Sequence, residues 1–183
     1  MPSLVYALDI SISMDKIYSN FKPSKLQASI NSVAISARRA IIEEGLKTGL
    51  VVFAEWAVPL VYPTRNISHF LSALRLLGRT FLGSAPGDAV VEAVKVMRAL
   101  HDHKKVVAVI TDGDYNMGVP LEYALSYAKQ SGVDLYIFVI GQIEETQLAG
   151  PYHQYKDIAH WVEVGSYEDL TSGLVKLVGG VSR

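Results

Sequence analysis

Short apolar runs alternate with amphipathic stretches along the chain, and this pattern predicts strands that alternate with helices. Residues 4–8, 106–110 and 135–140 are continuously apolar. Runs of this kind are typical of strands that are buried on both faces of a sheet. Residues 161–164 form a shorter run and predict an edge strand.

Two further strand-like runs lie close together, at residues 49–53 and 58–62. Only residues 54–57 separate them, whereas a parallel connection needs roughly a dozen residues or more. These two runs therefore predict an antiparallel hairpin.

Amphipathic stretches fill the intervals between the other strands. Ser24 with Gln27, and Ser166 with Asp169, have the spacing of N-terminal helix caps. Residues 142–160 are irregular and predict one short helix. The predicted helices, with their caps, cover residues 24–45, 67–77, 87–100, 121–132 and the segment that begins at Ser166.

Together these elements predict an α/β fold. We expect a doubly wound, mostly parallel central sheet with one antiparallel edge strand and with helices on both faces. The length of 183 residues suits one ordinary domain, and the sequence has no internal repeat or linker. Residues 1–183 are accordingly predicted to form a single domain.

Composition narrows the classes of function. The 17 basic and 18 acidic side chains give a formal charge of -1, which argues against nucleic acid as a partner. The chain has no cysteine, and this excludes disulfides, thiolate catalysis and sulfur-ligated metals. The apolar runs are far shorter than the roughly 20 residues of a membrane span, and the N-terminus lacks the pattern of a secretory signal. We therefore expect a cytoplasmic protein without membrane insertion.

Short side chains that carry oxygen follow the ends of the predicted strands. Asp9, Ser11 and Ser13 follow the first strand, Asp112 follows the buried strand at 106–110, and Ser84 lies in a loop rich in small residues. Proteins with such sheets bind their ligands at the edge where the carboxyl ends of the strands meet. We therefore expect these side chains to converge at that edge. Carboxylate and hydroxyl oxygens suit Mg²⁺ or Mn²⁺.

The charges of these side chains also predict which kind of ligand the site would bind. Two carboxylates match the charge of a divalent cation, and the serines add ligands without adding charge. An open coordination position would then accept an anionic ligand.

These residues resemble the metal-ion-dependent adhesion site of the von Willebrand factor A (vWA) domain family. Residues 9–13 match the pattern D-x-S-x-S and are followed by Met14, and residues 111–113 match a later element of that site. Ser84 replaces the usual threonine of the family, since Thr80 lies too early in the loop. Ile12 replaces a small residue and would make the rim of the site apolar.

The resemblance implies a non-enzymatic module for binding or adhesion. A partner protein would supply an Asp or Glu to the metal, as in integrin-type A domains. By analogy, the partner could be an AAA-type ATPase or an assembly component of a larger structure. In the family, binding can be coupled to a shift of the C-terminal helix.

Two other classes of function remain open. The chain could be a magnesium-dependent hydrolase or phosphotransferase with Asp9 as nucleophile, although such enzymes usually carry a second acid where this chain has Ser11. It could also be part of an RNA-protein assembly, against which the neutral charge argues.

Some residues of the predicted site, and several residues near it, also allow simpler interpretations. Asp9 and Asp112, taken singly, could merely close strands. Asp88 and Asp114 are interpreted as helix-end charges, and no metal role is expected for the segment from His101 to His103. His153 and His160 are interpreted as surface or packing residues. Four loop residues could be interface anchors or ordinary packing residues: Tyr18, Phe21, Tyr115 and Met117.

Overall fold

A six-stranded sheet is the centre of the computed structural model, which describes residues 2–18 and 21–182. Its strands are β1 (Pro2–Asp9), β2 (Lys47–Phe53), β3 (Ala57–Thr64), β4 (Lys104–Thr111), β5 (Asp134–Ile140) and β6 (His160–Val164). They lie in the order β3-β2-β1-β4-β5-β6. Only the pairing of β2 with β3 is antiparallel within this sheet, which confirms the predicted hairpin and the mostly parallel sheet.

Six α-helices connect these strands in the described part of the chain. They are α1 (Lys25–Arg38), α2 (Ile67–Arg75), α3 (Pro86–Arg98), α4 (Leu121–Gln130), α5 (Ala149–Tyr155) and α6 (Tyr167–Val181). Ser24 and Ser166 cap α1 and α6 as predicted, since each hydroxyl accepts a hydrogen bond from the amide three residues later. None of the described helices combines the length and the apolar character needed to cross a bilayer.

The helices divide between the two faces of the sheet, as predicted. Alternate residues of a strand point to opposite faces, so Tyr6 and Leu8 pack on the side of α1, α2 and α6. Val5 and Ala7 pack on the side of α3 and α4. Because both faces are covered, the strands carry few polar residues and can be recognised as continuous apolar runs.

The prediction of one helix up to Gly45 needs a correction. α1 ends at Arg38, and Arg39–Glu43 form a π-helical turn with a hydrogen bond from Glu44 N to Arg39 O. The wider turn keeps Ala40 and Ile41 buried against the core. Gly45 then takes a positive φ of 64° and turns the chain toward β2.

Candidate metal centre

The candidate site lies where the order of the strands reverses. β1 is the first strand in the chain, and it lies between β2 and β4. Both β1 and β4 run parallel, so their carboxyl ends meet at one edge of the sheet. Asp9 ends β1 and Asp112 follows β4, and this topology brings the two carboxylates together.

Asp9 is completely buried and accepts several hydrogen bonds. Its Oδ1 accepts from the backbone amide of Ser11 at 2.8 Å. Its Oδ2 accepts from Thr111 Oγ1 at 2.7 Å and from Ser84 Oγ at 3.2 Å. Burial raises the pKa of Asp9 from 3.8 to about 6, although the hydrogen bonds from Ser11 and Thr111 oppose the shift. A buried carboxylate whose charge is disfavoured in this way is stabilised by a nearby cation.

Ser11 and Ser13 extend this network to the second carboxylate. Ser11 Oγ lies 3.0 Å from Ser13 Oγ, and Ser13 Oγ donates to Asp112 Oδ1 at 3.0 Å. Ser11 has an extended backbone and precedes a 3₁₀ turn at Ile12–Asp15. The extended residue followed by a turn brings both serine hydroxyls to the same side of the loop.

The loop of Ser84 is held by contacts with a neighbouring loop. Ser84 N donates to Asn116 Oδ1 at 3.0 Å, and Ser84 O accepts from the amides of Asn116 and Met117. Gly83 has a φ of +77°, and a Cβ there would lie 2.5 Å from Met117 Sδ. The preceding glycine therefore allows the close approach that buries Ser84. Thr80 lies in the lining of a neighbouring groove instead.

Lys25 is a member of the site that sequence reasoning missed. Its Nζ donates to Asp112 Oδ2, and both side chains are nearly buried. Lys25 is the first residue of α1, where the helix dipole disfavours a positive charge. In the sequence, the available signal of a nearby acidic partner was a lysine directly after the predicted helix cap Ser24. Thr111, which donates to Asp9, was also not identified as a site residue.

The donor set fits a hard divalent cation. The five predicted residues, Asp9, Ser11, Ser13, Ser84 and Asp112, lie at one edge of the sheet, in two hydrogen-bonded groups that the contact of Ser11 N with Asp9 connects. All of the side-chain atoms that could coordinate a metal are oxygens, which Mg²⁺ and Mn²⁺ accept as ligands. Within residues 2–18 and 21–182, no three His, Cys, Asp or Glu side chains are placed to hold a metal ion together, so a bound metal would need hydroxyl ligands as well.

The surface beside the site is apolar. The side chains of Ile12, Phe81 and Leu82 are 47%, 54% and 73% exposed. They also line a groove of about 1270 Å³ that extends toward Trp56 and Leu76. The apolar rim expected from Ile12 is therefore present.

Two carboxylates outside this set, Asp88 and Asp102, have structural partners. Asp88 lies in the first turn of α3, but its Oδ1 accepts from the amide of Val119 at 2.7 Å, so it also fixes the neighbouring loop. In the sequence, Asp102 precedes Lys104 and Lys105, and this pattern predicts an exposed helix exit. The side chain of Asp102 is instead only 5% exposed and accepts from Ser3 and from Lys47, at the opposite edge of the sheet.

The histidines and loop aromatics show ordinary packing for the most part. His153 contacts Glu144 at 2.9 Å, and the ring of His160 stacks on Tyr136.

Phe21 is buried, which settles its interpretation as a packing residue. Tyr115 packs on the core on the side of α4, and its hydroxyl accepts from Leu121 N. Tyr18 and Met117 are 39% and 40% exposed.

Comparisons with known proteins agree with this fold. BatB, a conserved hypothetical protein from Bacteroides thetaiotaomicron, is 19% identical with a TM-score of 0.77, and 100% of this chain and 99% of that chain are covered. A von Willebrand factor type A protein from Catenulispora acidiphila is 16% identical with a TM-score of 0.81, and the coverage is 99% and 42%. The VWA domain of SpRpn10 is 18% identical with a TM-score of 0.74, and the coverage is 97% and 95%.

The sequence itself was compared in two further ways. A search of curated proteins gives no significant match. The model of the von Willebrand factor type A domain matches residues 3–171, which is most of the chain. The chain therefore belongs to the von Willebrand factor type A domain family.

Proposed function

We propose that this chain is a metal-dependent protein-binding module. Asp9, Ser11, Ser13, Ser84 and Asp112 would hold Mg²⁺ or Mn²⁺, and an Asp or Glu of a partner protein would complete the coordination of the metal. The bound cation would supply a fixed positive centre for that carboxylate. The family to which the chain belongs is generally involved in protein interactions, and this supports the coarser part of the proposal.

One observation carries the proposal above the others. Two buried carboxylates and three hydroxyls form a connected set at the topological switch point of the sheet. A charge buried without a matched partner is costly, and the groups that donate hydrogen bonds to Asp9 are hydroxyls and an amide, which carry no full charge. A divalent cation would offset this cost.

The surroundings favour a protein as the ligand. Ile12, Phe81 and Leu82 expose apolar surface beside the candidate site. A free small anion would leave that surface in water, whereas a protein that presents an acidic residue would also cover it. We propose an adaptor or an assembly component as the role, with an AAA-type ATPase as one candidate kind of partner. Cytoplasmic residence and the absence of enzymatic activity stay predictions.

Among the described residues, no contact favours the alternative of a hydrolase with Asp9 as nucleophile. Enzymes of this kind usually carry a second acid two residues after the nucleophile, and this chain has Ser11 at that position. The alternative of an RNA-protein assembly is not supported either, because a formal charge of -1 would not attract the chain to RNA.

The proposal can be tested with an array of peptides that each carry a central Glu, beside matched peptides with Gln. The wild-type protein is applied in Mg²⁺ and, separately, in EDTA. We expect binding to a subset of the Glu peptides in Mg²⁺ only, because a neutral amide is a far weaker metal ligand than a carboxylate. Binding that is equal for Glu and Gln, or equal in EDTA, would contradict the proposal.

Two variants serve as controls in the same experiment. Asp112→Asn removes one charge of the site and should abolish the metal-dependent signal. Asp134→Asn changes an exposed acid at the start of β5, outside the predicted donor set, and it should keep the signal.

A further inference from the structure

Lys25 places a positive charge inside the candidate metal centre. Its ammonium group donates to Asp112 Oδ2, while Asp112 Oδ1 accepts from Ser13 Oγ at 3.0 Å. The side chains of Lys25 and Asp112 are only 11% and 4% exposed, so water screens this contact weakly. One carboxylate thus serves both the ammonium group and the predicted metal site.

The position of Lys25 in its helix shows that the contact with Asp112 is specific. Lys25 is the first residue of α1, and its backbone amide donates to Lys16 O at 3.0 Å. Cations at this end of a helix are disfavoured by the dipole. An ammonium group is held there because Asp112, 87 residues later in the chain, offsets that cost.

The charges give Lys25 two consequences for ligands. Asp9, Asp112 and Lys25 together carry a formal charge of −1 when both acids are ionised. A divalent cation would bring the group to a formal charge of +1, whereas two carboxylates alone would give a neutral site. An ammonium group beside the cation also repels it.

We propose that Lys25 is the residue that sets the charge of this site: it weakens the binding of the divalent cation and leaves the loaded site positive, so that a single carboxylate is the preferred ligand. This inference rests on the proposed metal-dependent function and adds the charge of the ligand. Lys25 acts as a positioning residue for Asp112 and as an electrostatic partner of the incoming anion.

The first test is a titration with Mn²⁺, followed by the electron paramagnetic resonance signal of the free ion. Lys25→Met and Lys25→Gln should each bind Mn²⁺ about tenfold more tightly than the wild type, because a repelling charge has been removed. Lys25→Gln can keep a hydrogen bond to Asp112, so it covers the case in which Lys25→Met fails to fold. Lys25→Arg keeps the positive charge and should bind Mn²⁺ with the affinity of the wild type.

Lys47→Met is the matched control. Lys47 also forms an ion pair with a buried carboxylate, Asp102, but at the opposite edge of the sheet. If Lys25 only stabilised the fold, both lysine variants would lower the melting temperature and neither would change the Mn²⁺ affinity. We expect the Mn²⁺ affinity of Lys47→Met to equal that of the wild type.

The second test uses acetate as the probe at saturating Mn²⁺, with the water proton relaxation rate as the readout. The wild type should bind acetate several-fold more tightly than Lys25→Gln, because the loaded site of the variant is formally neutral. Equal acetate affinity would overturn the inference about the ligand.

The outcomes separate this inference from the proposed function. Unchanged or weaker Mn²⁺ binding in both neutral variants would overturn the role of Lys25 and leave the metal site standing. The absence of Mn²⁺ binding in the wild type and in every Lys25 variant would overturn both proposals.

Discussion

Asp9 is the residue on which the candidate site depends most directly. It is fully buried, and Ser11, Ser84 and Thr111 surround its two oxygens. Three donors satisfy the carboxylate geometrically, but burial still raises its pKa to about 6. The hydrogen bonds therefore do not fully replace the hydration that the charge loses on folding.

This pKa predicts a dependence of stability on pH in the metal-free protein. Because the pKa of Asp9 is about 6 in the folded state and 3.8 ordinarily, the folded state binds more protons between these values. The free energy of unfolding of the wild type should therefore fall by about 3 kcal/mol, relative to that of Asp9→Asn, as the pH rises from about 3 to about 7. Above that range the difference should be constant. Urea unfolding of both proteins in EDTA across this pH range measures it.

The variant serves as the reference because Asn cannot ionise and is close in shape to Asp. Changes that arise from all other titrating groups then cancel in the difference. A difference in unfolding free energy that does not vary with pH would show that burial does not disfavour the charge of Asp9.

The residues of the site differ in how far the sequence could predict them. Asp9, Ser11 and Ser13 are close in the chain, and their spacing at a strand end, together with the later Asp112, predicted that they lie near one another. Ser84 was found through the order of residues around it, and the structure places its hydroxyl on Asp9. The contact of Lys25 with Asp112 spans 87 positions, and no local pattern records such a pair. Only the unfavourable position of a lysine at a helix start indicated it.

At the scale of elements, the start of α3 and the loop after β4 hold each other in place. Gly87, in the first turn of α3, approaches the backbone so closely that a Cβ would lie 2.0 Å from Val119 O. Asp88 accepts from the amide of Val119, and Asn116 in the same loop accepts from Ser84 N. The position of Ser84 therefore depends on this packing.

Gly87→Ala should destabilise the protein by about 1–3 kcal/mol, because the added methyl group meets a backbone carbonyl that cannot rotate away. Gly180→Ala, in α6, is the matched control, since nothing lies within 4 Å of the position that its added methyl group would take. Alanine is the better helix former, so Gly180→Ala should be neutral or stabilising by up to about 1 kcal/mol. Chemical denaturation compares the two, and equal effects would contradict the close packing at Gly87.

The elements themselves were largely predictable for physical reasons. Strands such as β4 and β5 are buried on both faces, and continuous apolar runs mark them clearly. The hairpin followed from a connection that is too short for a crossover. The π-helical turn at Arg39–Glu43 could not be predicted, because its apolar residues continue the helical pattern of α1 while the hydrogen bonds change.

At the scale of the whole molecule, the strand order explains why the candidate site lies where it does. The chain places β2 and β3 on one side of β1, and then β4, β5 and β6 on the other. The connections diverge at the carboxyl ends of β1 and β4, and open α/β sheets bind their ligands at such a point. Asp9 and Asp112 lie at this edge, whereas Lys47 and Asp102 form their ion pair at the other edge of the sheet.

The most direct test of a metal site at this edge of the sheet is thermal unfolding of the wild type and of Asp112→Asn, each in EDTA and in excess Mg²⁺. A ligand at about 100 times its dissociation constant adds roughly 2.7 kcal/mol to the stability of the folded state. For a chain of this length, that gain corresponds to an increase of roughly 5–10 °C in the melting temperature. We predict this increase for the wild type and none for Asp112→Asn. A wild-type melting temperature that is the same in EDTA and in Mg²⁺ would contradict the metal centre.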